Sequence, residues 1–238
     1  MVRTVIWFIY FAISFILLIP SRIKVNYLQK HQKIEEKDIL VDKIVKGWAG
    51  RLLRVSGCKV EVIGEENIPK GRNVLFVSNH QGNFDIPLLI KYLDKPKGFI
   101  AKKELGNLPM LSSWMKAMNC VFMDRDNPRE SIRAIKEGTN LLKEGYSLVL
   151  FPEGTRSRDG KLGEFKAGGL RLATKSGVDI VPITINGTKD IMNKDSLIIR
   201  PAKVKITVSP VIKVDEYDGD TKELTEVIHN IISSNLEV

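Results

Sequence analysis

From Thr4 to Ser21 the chain carries no charge, and the apolar run Val5-Ile6-Trp7-Phe8-Ile9-Tyr10-Phe11 continues to Leu17-Leu18-Ile19-Pro20. As a helix this stretch is about 27 Å long at roughly 1.5 Å per residue, marginal against a hydrocarbon core of about 30 Å. Over 35–55, Leu40, Val41, Ile44, Val45, Trp48, Leu52 and Val55 recur at helical spacing, with Lys37, Lys43, Lys46, Arg51 and Arg54 mainly between them. Such a helix suits two placements equally: a membrane interface, or the surface of a domain core. Gly57 ends it. Beyond it, strand and helix signals alternate. Strands are predicted over 59–63, 73–78, 147–151, 180–185 and 204–208, with short apolar runs at 98–101 and 120–123. Helices are predicted over 86–92, from Asn127-Pro128-Arg129-Glu130 to Gly145, over 167–176, and over 220–234. The 127–130 start combines a capping side chain, proline at the first helical position and an acid in the first turn. This alternation implies an α/β fold with a mostly parallel sheet flanked by helices, preceded by N-terminal membrane-associated helices. Residues 1–57 form a membrane-anchoring helical segment and 58–238 the catalytic domain on this reading.

Charge refines the picture. Arg22, Lys24, Lys30 and Lys33 follow the first apolar stretch and Arg3 alone precedes it, which places the bulk of the chain on the cytoplasmic face of the cell membrane. No small-x-small cleavage site precedes Arg22, so the segment reads as an uncleaved anchor, spanning the bilayer or dipping into one leaflet. The formal net charge of +9 over 238 residues favours anionic partners. Nucleic acid is disfavoured, because no recognition motif is present and aromatics are not interleaved with the cations. Cys58 and Cys120 stand in no metal-type spacing and fit a reduced compartment. His31 and His229 lie in segments unrelated to the third histidine, so no metal site is expected.

Candidate chemistry sits where strands end. The run Val74-Leu75-Phe76-Val77 leads into Ser78-Asn79-His80-Gln81-Gly82-Asn83-Phe84-Asp85. An imidazole accepts a proton near neutral pH, and a carboxylate on its other nitrogen fixes the tautomer. Residues five apart do not share a helix face. His80 and Asp85 therefore meet only if His80 lies in the turn and Asp85 in the first turn of the next helix. A second block, Phe151-Pro152-Glu153-Gly154-Thr155-Arg156-Ser157, follows another apolar strand and offers N–H groups, hydroxyls and a guanidinium suited to a phosphate. Glu153 is out of place beside a phosphate; it reads as a hydrogen-bond acceptor or as the anchor of an arginine. A third block ends in Asp124-Arg125. A fourth, Val181-Pro182-Ile183, holds no reactive group, and proline inside a strand suggests an edge or a bulge.

Together these blocks resemble the glycerolipid acyltransferases, in particular the bacterial 1-acylglycerol-3-phosphate acyltransferases. The resemblance covers roughly 59–211. It departs from the family pattern at Gly82, where many relatives carry serine. It implies transfer of a fatty acyl group from acyl-CoA or acyl-carrier protein, as co-substrate and without a cofactor, to the sn-2 hydroxyl of lysophosphatidic acid. His80 and Asp85 are then the catalytic pair, and Arg125, Glu153, Gly154, Thr155, Arg156 and Lys102 line the substrate, with N–H groups near Gly154 facing the oxyanion. Membrane lipids are the implied surroundings. Glycerol 3-phosphate or another lysophospholipid is the alternative acceptor. The non-enzymatic alternative is a basic, membrane-tethered module that binds anionic lipid. A serine hydrolase is disfavoured, because no Gly-x-Ser-x-Gly elbow exists.

Overall fold

The computed structural model describes residues 1–157, 160–193 and 195–237. Three helices lead the chain: α1 (Val2–Leu17), α2 (Ile19–Lys30) and α3 (Ile34–Ser56). Strands and helices then alternate as β1 (Lys59–Ile63), β2 (Leu75–Ser78), α4 (Asp85–Tyr92), β3 (Lys97–Lys102), α5 (Pro109–Ala117), β4 (Val121–Met123), α6 (Pro128–Lys143), β5 (Ser147–Leu150), α7 (Arg171–Ser176), β6 (Ile180–Asn186), α8 (Thr188–Ile191), β7 (Lys203–Val208) and α9 (Thr221–Ser234). From β1 onward the expected strands and helices are present, with boundaries moved by a residue or two, but the stretch expected as one helix over 4–21 breaks after Leu17 and continues as the unexpected α2, to Lys30. Within the stretch predicted as one helix over 167–176, Ala167–Leu170 is a 3-10 turn ahead of α7. Helices α5 and α8 had no sequence signal strong enough to assign.

Seven strands form one sheet in the order β1-β7-β6-β2-β5-β3-β4. Every neighbouring pair is parallel except β6 and β7. The mostly parallel α/β expectation holds. The edge reading of Pro182 does not: β6 lies inside the sheet, with Pro182 opposite Val77 of β2. Proline is tolerated there because the antiparallel ladder with β7 begins one residue later, at Ile183.

Alternating side chains of the buried strands feed two cores. Phe76, Val149 and Val181 join α1, α3 and α4 on one face, while Leu75, Val77, Leu148 and Leu150 join α6, α7 and α9 on the other. Helix α3 buries Val41, Val45, Ala49, Leu52 and Leu53 in the first core. Each of these Val and Leu side chains stabilises by about 1.5–3 kcal/mol when fully buried. Of the two placements open to this helix, its apolar stripe takes the core. Helix α1 then lies on α3: Trp7 Nε1 donates to Leu52 O at 3.1 Å, and Trp48 Nε1 to Ser14 Oγ at 2.9 Å.

Tyr10, Phe11 and Phe15 of α1 also pack on the first core, while the other side of the helix is open. Val2, Val5, Ile6, Ile9, Ile13, Ile16 and Leu17 are exposed. No single helix among the described residues is long and apolar enough to cross a membrane; α1 and α2, bent by 41° at their junction, pass that test only as a pair, by length and composition.

Candidate active site

Adjacent parallel strands β2 and β5 end on the same edge of the sheet, and each releases a loop there. The loop after β2 carries His80. Its approach is fixed by Asn79, whose side chain donates to Ile185 O at 2.9 Å and accepts from Ile185 N at 2.8 Å. Asn79 thus bridges the loop to β6. Helix α4 begins at Asp85, so the pair meets as its spacing required: His80 Nδ1 lies 2.6 Å from Asp85 Oδ2. That oxygen also accepts from the N–H of Gln81 at 2.7 Å and of Gly82 at 2.9 Å. A carboxylate surrounded by donors makes Nδ1 the protonated nitrogen, leaving the Nε2 lone pair for a substrate. Asp85 is fully buried, while the His80 side chain keeps 17% exposure. A carboxylate at the first position of α4 also meets the positive end of the helix dipole.

The second carboxylate oxygen of Asp85 accepts from Thr188 Oγ1. Sequence reading missed Thr188, since it belongs to no block and lies 103 positions away. The only hint was Gly187, which precedes it. Gly187 has φ +91°, and a Cβ there would stand 2.2 Å from Lys203 O, so glycine alone fits the turn that aims Thr188 at Asp85. Gln81 Oε1 closes the same corner by accepting from Gly187 N at 3.0 Å. Gly82 is not sterically required, because an added Cβ would meet nothing closer than Thr188 O at 3.5 Å.

The loop after β5 packs directly on the dyad. The Phe151 ring stacks on the His80 ring with centroids 4.1 Å apart, and Ser157 N donates to His80 O at 2.8 Å. Glu153 Oε1 accepts from His80 N at 2.8 Å and Oε2 from Gly163 N at 3.0 Å. Burial pushes the Glu153 carboxyl up from its ordinary value, against the pull of those two N–H groups. Glu153 is therefore spent on the backbone of the site, as an acceptor of two N–H groups and not as the anchor of an arginine. A second expectation also changes. The Gly154 N–H donates to Phe151 O at 3.1 Å within the turn, so Gly154 itself offers no donor for an oxyanion.

The expected cations are spread out. Arg125 donates to Gly154 O, and burial lowers its guanidinium from the ordinary arginine value. Arg156 Nη1 donates to Asn83 Oδ1 at 2.9 Å, which puts it beside the His80 loop. Thr155 is exposed at the loop tip. Lys102, at the end of β3, is separated from β2 by β5 and pairs with Glu104 at 2.8 Å on the surface. Among the described residues no group of three His, Cys, Asp or Glu side chains is placed to hold a metal ion.

A buried His-Asp pair at the mouth of a parallel sheet, backed by a Pro-Glu-Gly-Thr-Arg loop, defines an enzyme of the acyltransferase class. The acyltransferase family profile matches residues 59–186, and the chain belongs to that family. It is 33% identical over 188 residues to a 1-acyl-sn-glycerol-3-phosphate acyltransferase of Borreliella burgdorferi, covering 78% of this chain and 74% of that protein. It is 41% identical over 141 residues to a probable 1-acyl-sn-glycerol-3-phosphate acyltransferase of Mycoplasma pneumoniae, of which it spans about half (52%), using 57% of this chain. The crystal structure of the 1-acyl-sn-glycerophosphate (LPA) acyltransferase of Thermotoga maritima superposes with a TM-score of 0.87 at 29% identity, covering 98% of this chain and 92% of that one.

Proposed function

We propose that this enzyme transfers a fatty acyl group from a thioester, acyl-CoA or acyl-carrier protein, to the sn-2 hydroxyl of 1-acylglycerol 3-phosphate, with His80 as general base. The observation that carries the reading is the 2.6 Å pair of His80 Nδ1 and Asp85 Oδ2, with the His80 side chain keeping 17% exposure. The relatives' names supply the acceptor class.

On this reading His80 Nε2 takes the hydroxyl proton as the acceptor oxygen attacks the thioester carbonyl. A C–O bond forms and the C–S bond breaks. His80 then returns the proton to the leaving thiolate. Asp85 stabilises the imidazolium between the two transfers, and its own geometry is held by Thr188, Gln81 N and Gly82 N. The acceptor's hydroxyl is the nucleophile, so no serine or cysteine is needed. Arg156, which bonds Asn83 of the His80 loop, and the neighbouring exposed Thr155 are assigned to the acceptor phosphate, with Arg125 bracing the loop at Gly154 O.

The exposed apolar side of α1 is assigned to the cytoplasmic leaflet of the cell membrane, where the lipid acceptor resides. An acceptor matrix tests the function: purified enzyme with one acyl thioester and, separately, lysophosphatidic acid, glycerol 3-phosphate and lysophosphatidylcholine. Phosphatidic acid as the main product is expected. Activity confined to glycerol 3-phosphate would refute the acceptor assignment.

A further inference from the structure

Bordered by Phe151, whose ring stacks on His80, a groove of about 730 Å³ runs between α6, α7 and the loop after β5. Its floor near the dyad is apolar: Met123, Ile135, Leu150 and Phe151 line it. Its outer rim is cationic. Helix α6 presents Lys136 and Lys143, seven positions apart and so on one face, while α7 presents Arg171 and Lys175, four apart and on one face. Lys166 closes the end beside Gly154. No aspartate or glutamate is among the described lining residues. Glu130 and Glu137 of α6 and its C-cap Glu144, seven positions apart, keep to a stripe on the other side of that helix. Gly138 sets the spacing of the two helices, because a Cβ there would fall 2.7 Å from Leu172 Cδ2 of α7. The groove is thus built from a close helix pair whose cations converge and whose anions face away.

We propose that this groove binds the phosphate-bearing end of the acyl donor: the 4′-phosphopantetheine arm that acyl-CoA and acyl-carrier protein share. The proposal rests on the acyl-transfer reading above and assigns the donor's place within it. Charge sign and polarity match along the whole length. An anionic end meets the Lys136, Lys143, Arg171 and Lys175 rim, and the arm runs over the apolar floor towards Phe151, on which His80 is stacked. Position agrees as well. The groove belongs to the core face of α6, α7 and α9, whereas the exposed apolar helix α1 packs on the opposite face of the sheet. A lipid acceptor and a water-soluble donor would then reach His80 from opposite sides, with no competition for one entrance.

The test is donor kinetics at saturating lysophosphatidic acid, using acyl-CoA, acyl-carrier protein and the phosphate-free acyl-pantetheine. The wild type is compared with Lys136→Glu/Lys143→Glu and Arg171→Glu/Lys175→Glu. Lys136→Gln/Lys143→Gln serves as a milder pair should charge reversal impair folding. The expected result is at least a tenfold rise in KM for the phosphate-bearing donors, with the KM of acyl-pantetheine and of the acceptor unchanged. A rise confined to acyl-CoA or to acyl-carrier protein would overturn the shared-arm assignment, because the groove would then be reading a part that only one donor carries. Unchanged donor KM values, or an equal rise for acyl-pantetheine, would overturn it. Absence of transfer from every donor by the wild type would instead refute the acyl-transfer reading itself.

Discussion

Replacing Glu153 by glutamine separates its role in placing His80 from any role in charge. The carboxylate accepts two backbone N–H groups, from His80 at 2.8 Å and from Gly163 at 3.0 Å, one on each oxygen. A glutamine amide has one accepting oxygen, so it satisfies one N–H and turns its own NH2 against the other. A buried donor left unpaired costs about 1–3 kcal/mol. Part of that is returned, because burial disfavours the charged form of Glu153 and the amide carries no charge. The net change in global stability is expected to be below about 2 kcal/mol. Catalysis is more sensitive, since a shift of about 1 Å in a reacting group can cost around 100-fold. Glu153→Gln is therefore expected to lower kcat ten- to 100-fold while its urea midpoint moves little. The pH signature has a definite sign. A carboxyl raised on folding holds its proton more tightly in the folded chain, so it withdraws stability as pH climbs from the ordinary value of 4.5 through its raised value. Urea melts between pH 4 and 7 read this as a slope present in the wild type and absent in Glu153→Gln. A variant with wild-type kcat would refute the positioning role.

Thr188→Val keeps shape but strips the hydroxyl that bonds the buried Asp85; a lost bond to a charged group predicts about 1.5–3 kcal/mol of destabilisation and a fall in kcat, with Thr188→Ser restoring both, read by melts and initial rates. Lys97 is 93% buried, by its 7% exposure, and desolvation, only partly offset by Asp42 and Asp94 and reinforced by Lys46 and Lys95, pushes its amine down from 10.5 to about 7. The folded chain holds that proton less tightly than the unfolded one, so stability rises with pH between about 7 and 10.5. Lys97→Met is expected to flatten this slope and to gain on the order of 3–5 kcal/mol at pH 6, measured by denaturation at several pH values. Ile9→Glu/Ile13→Glu alters two exposed side chains of α1; co-sedimentation with anionic vesicles is expected to fall at least tenfold, while turnover of a short-chain, water-soluble acceptor is kept.

Much of this architecture is legible in the chain because local chemistry dictates it. Asn127 and Asp220 cap α6 and α9 through their own side chains, and the apolar runs of β2 and β5 are too uniformly buried to be anything but interior strands. The meeting of His80 and Asp85 follows from a spacing of five across a turn. What stayed hidden depends on contacts between distant segments. Thr188 reaches Asp85 only because β6 lies beside β2, and Pro182 is interior only because the β7 ladder starts one residue later. Glu153 looked like a substrate contact since its two backbone partners, His80 N and Gly163 N, are 73 and 10 positions away. Helix α3 carries a stripe that lipid or a core would satisfy equally; the presence of α4 and the sheet beneath it decides the matter.

The central claim is that His80 activates the acceptor hydroxyl, and its most direct measurement is the rate of acyl transfer to lysophosphatidic acid by His80→Ala. General-base catalysis of this kind contributes roughly 100- to 10,000-fold, so kcat is expected to fall by that range while vesicle binding is kept; the lost bond to buried Asp85 lowers stability by about 1.5–3 kcal/mol, so rates are compared at a temperature where both proteins are folded. A His80→Ala enzyme that transfers acyl groups at the wild-type rate would contradict the account.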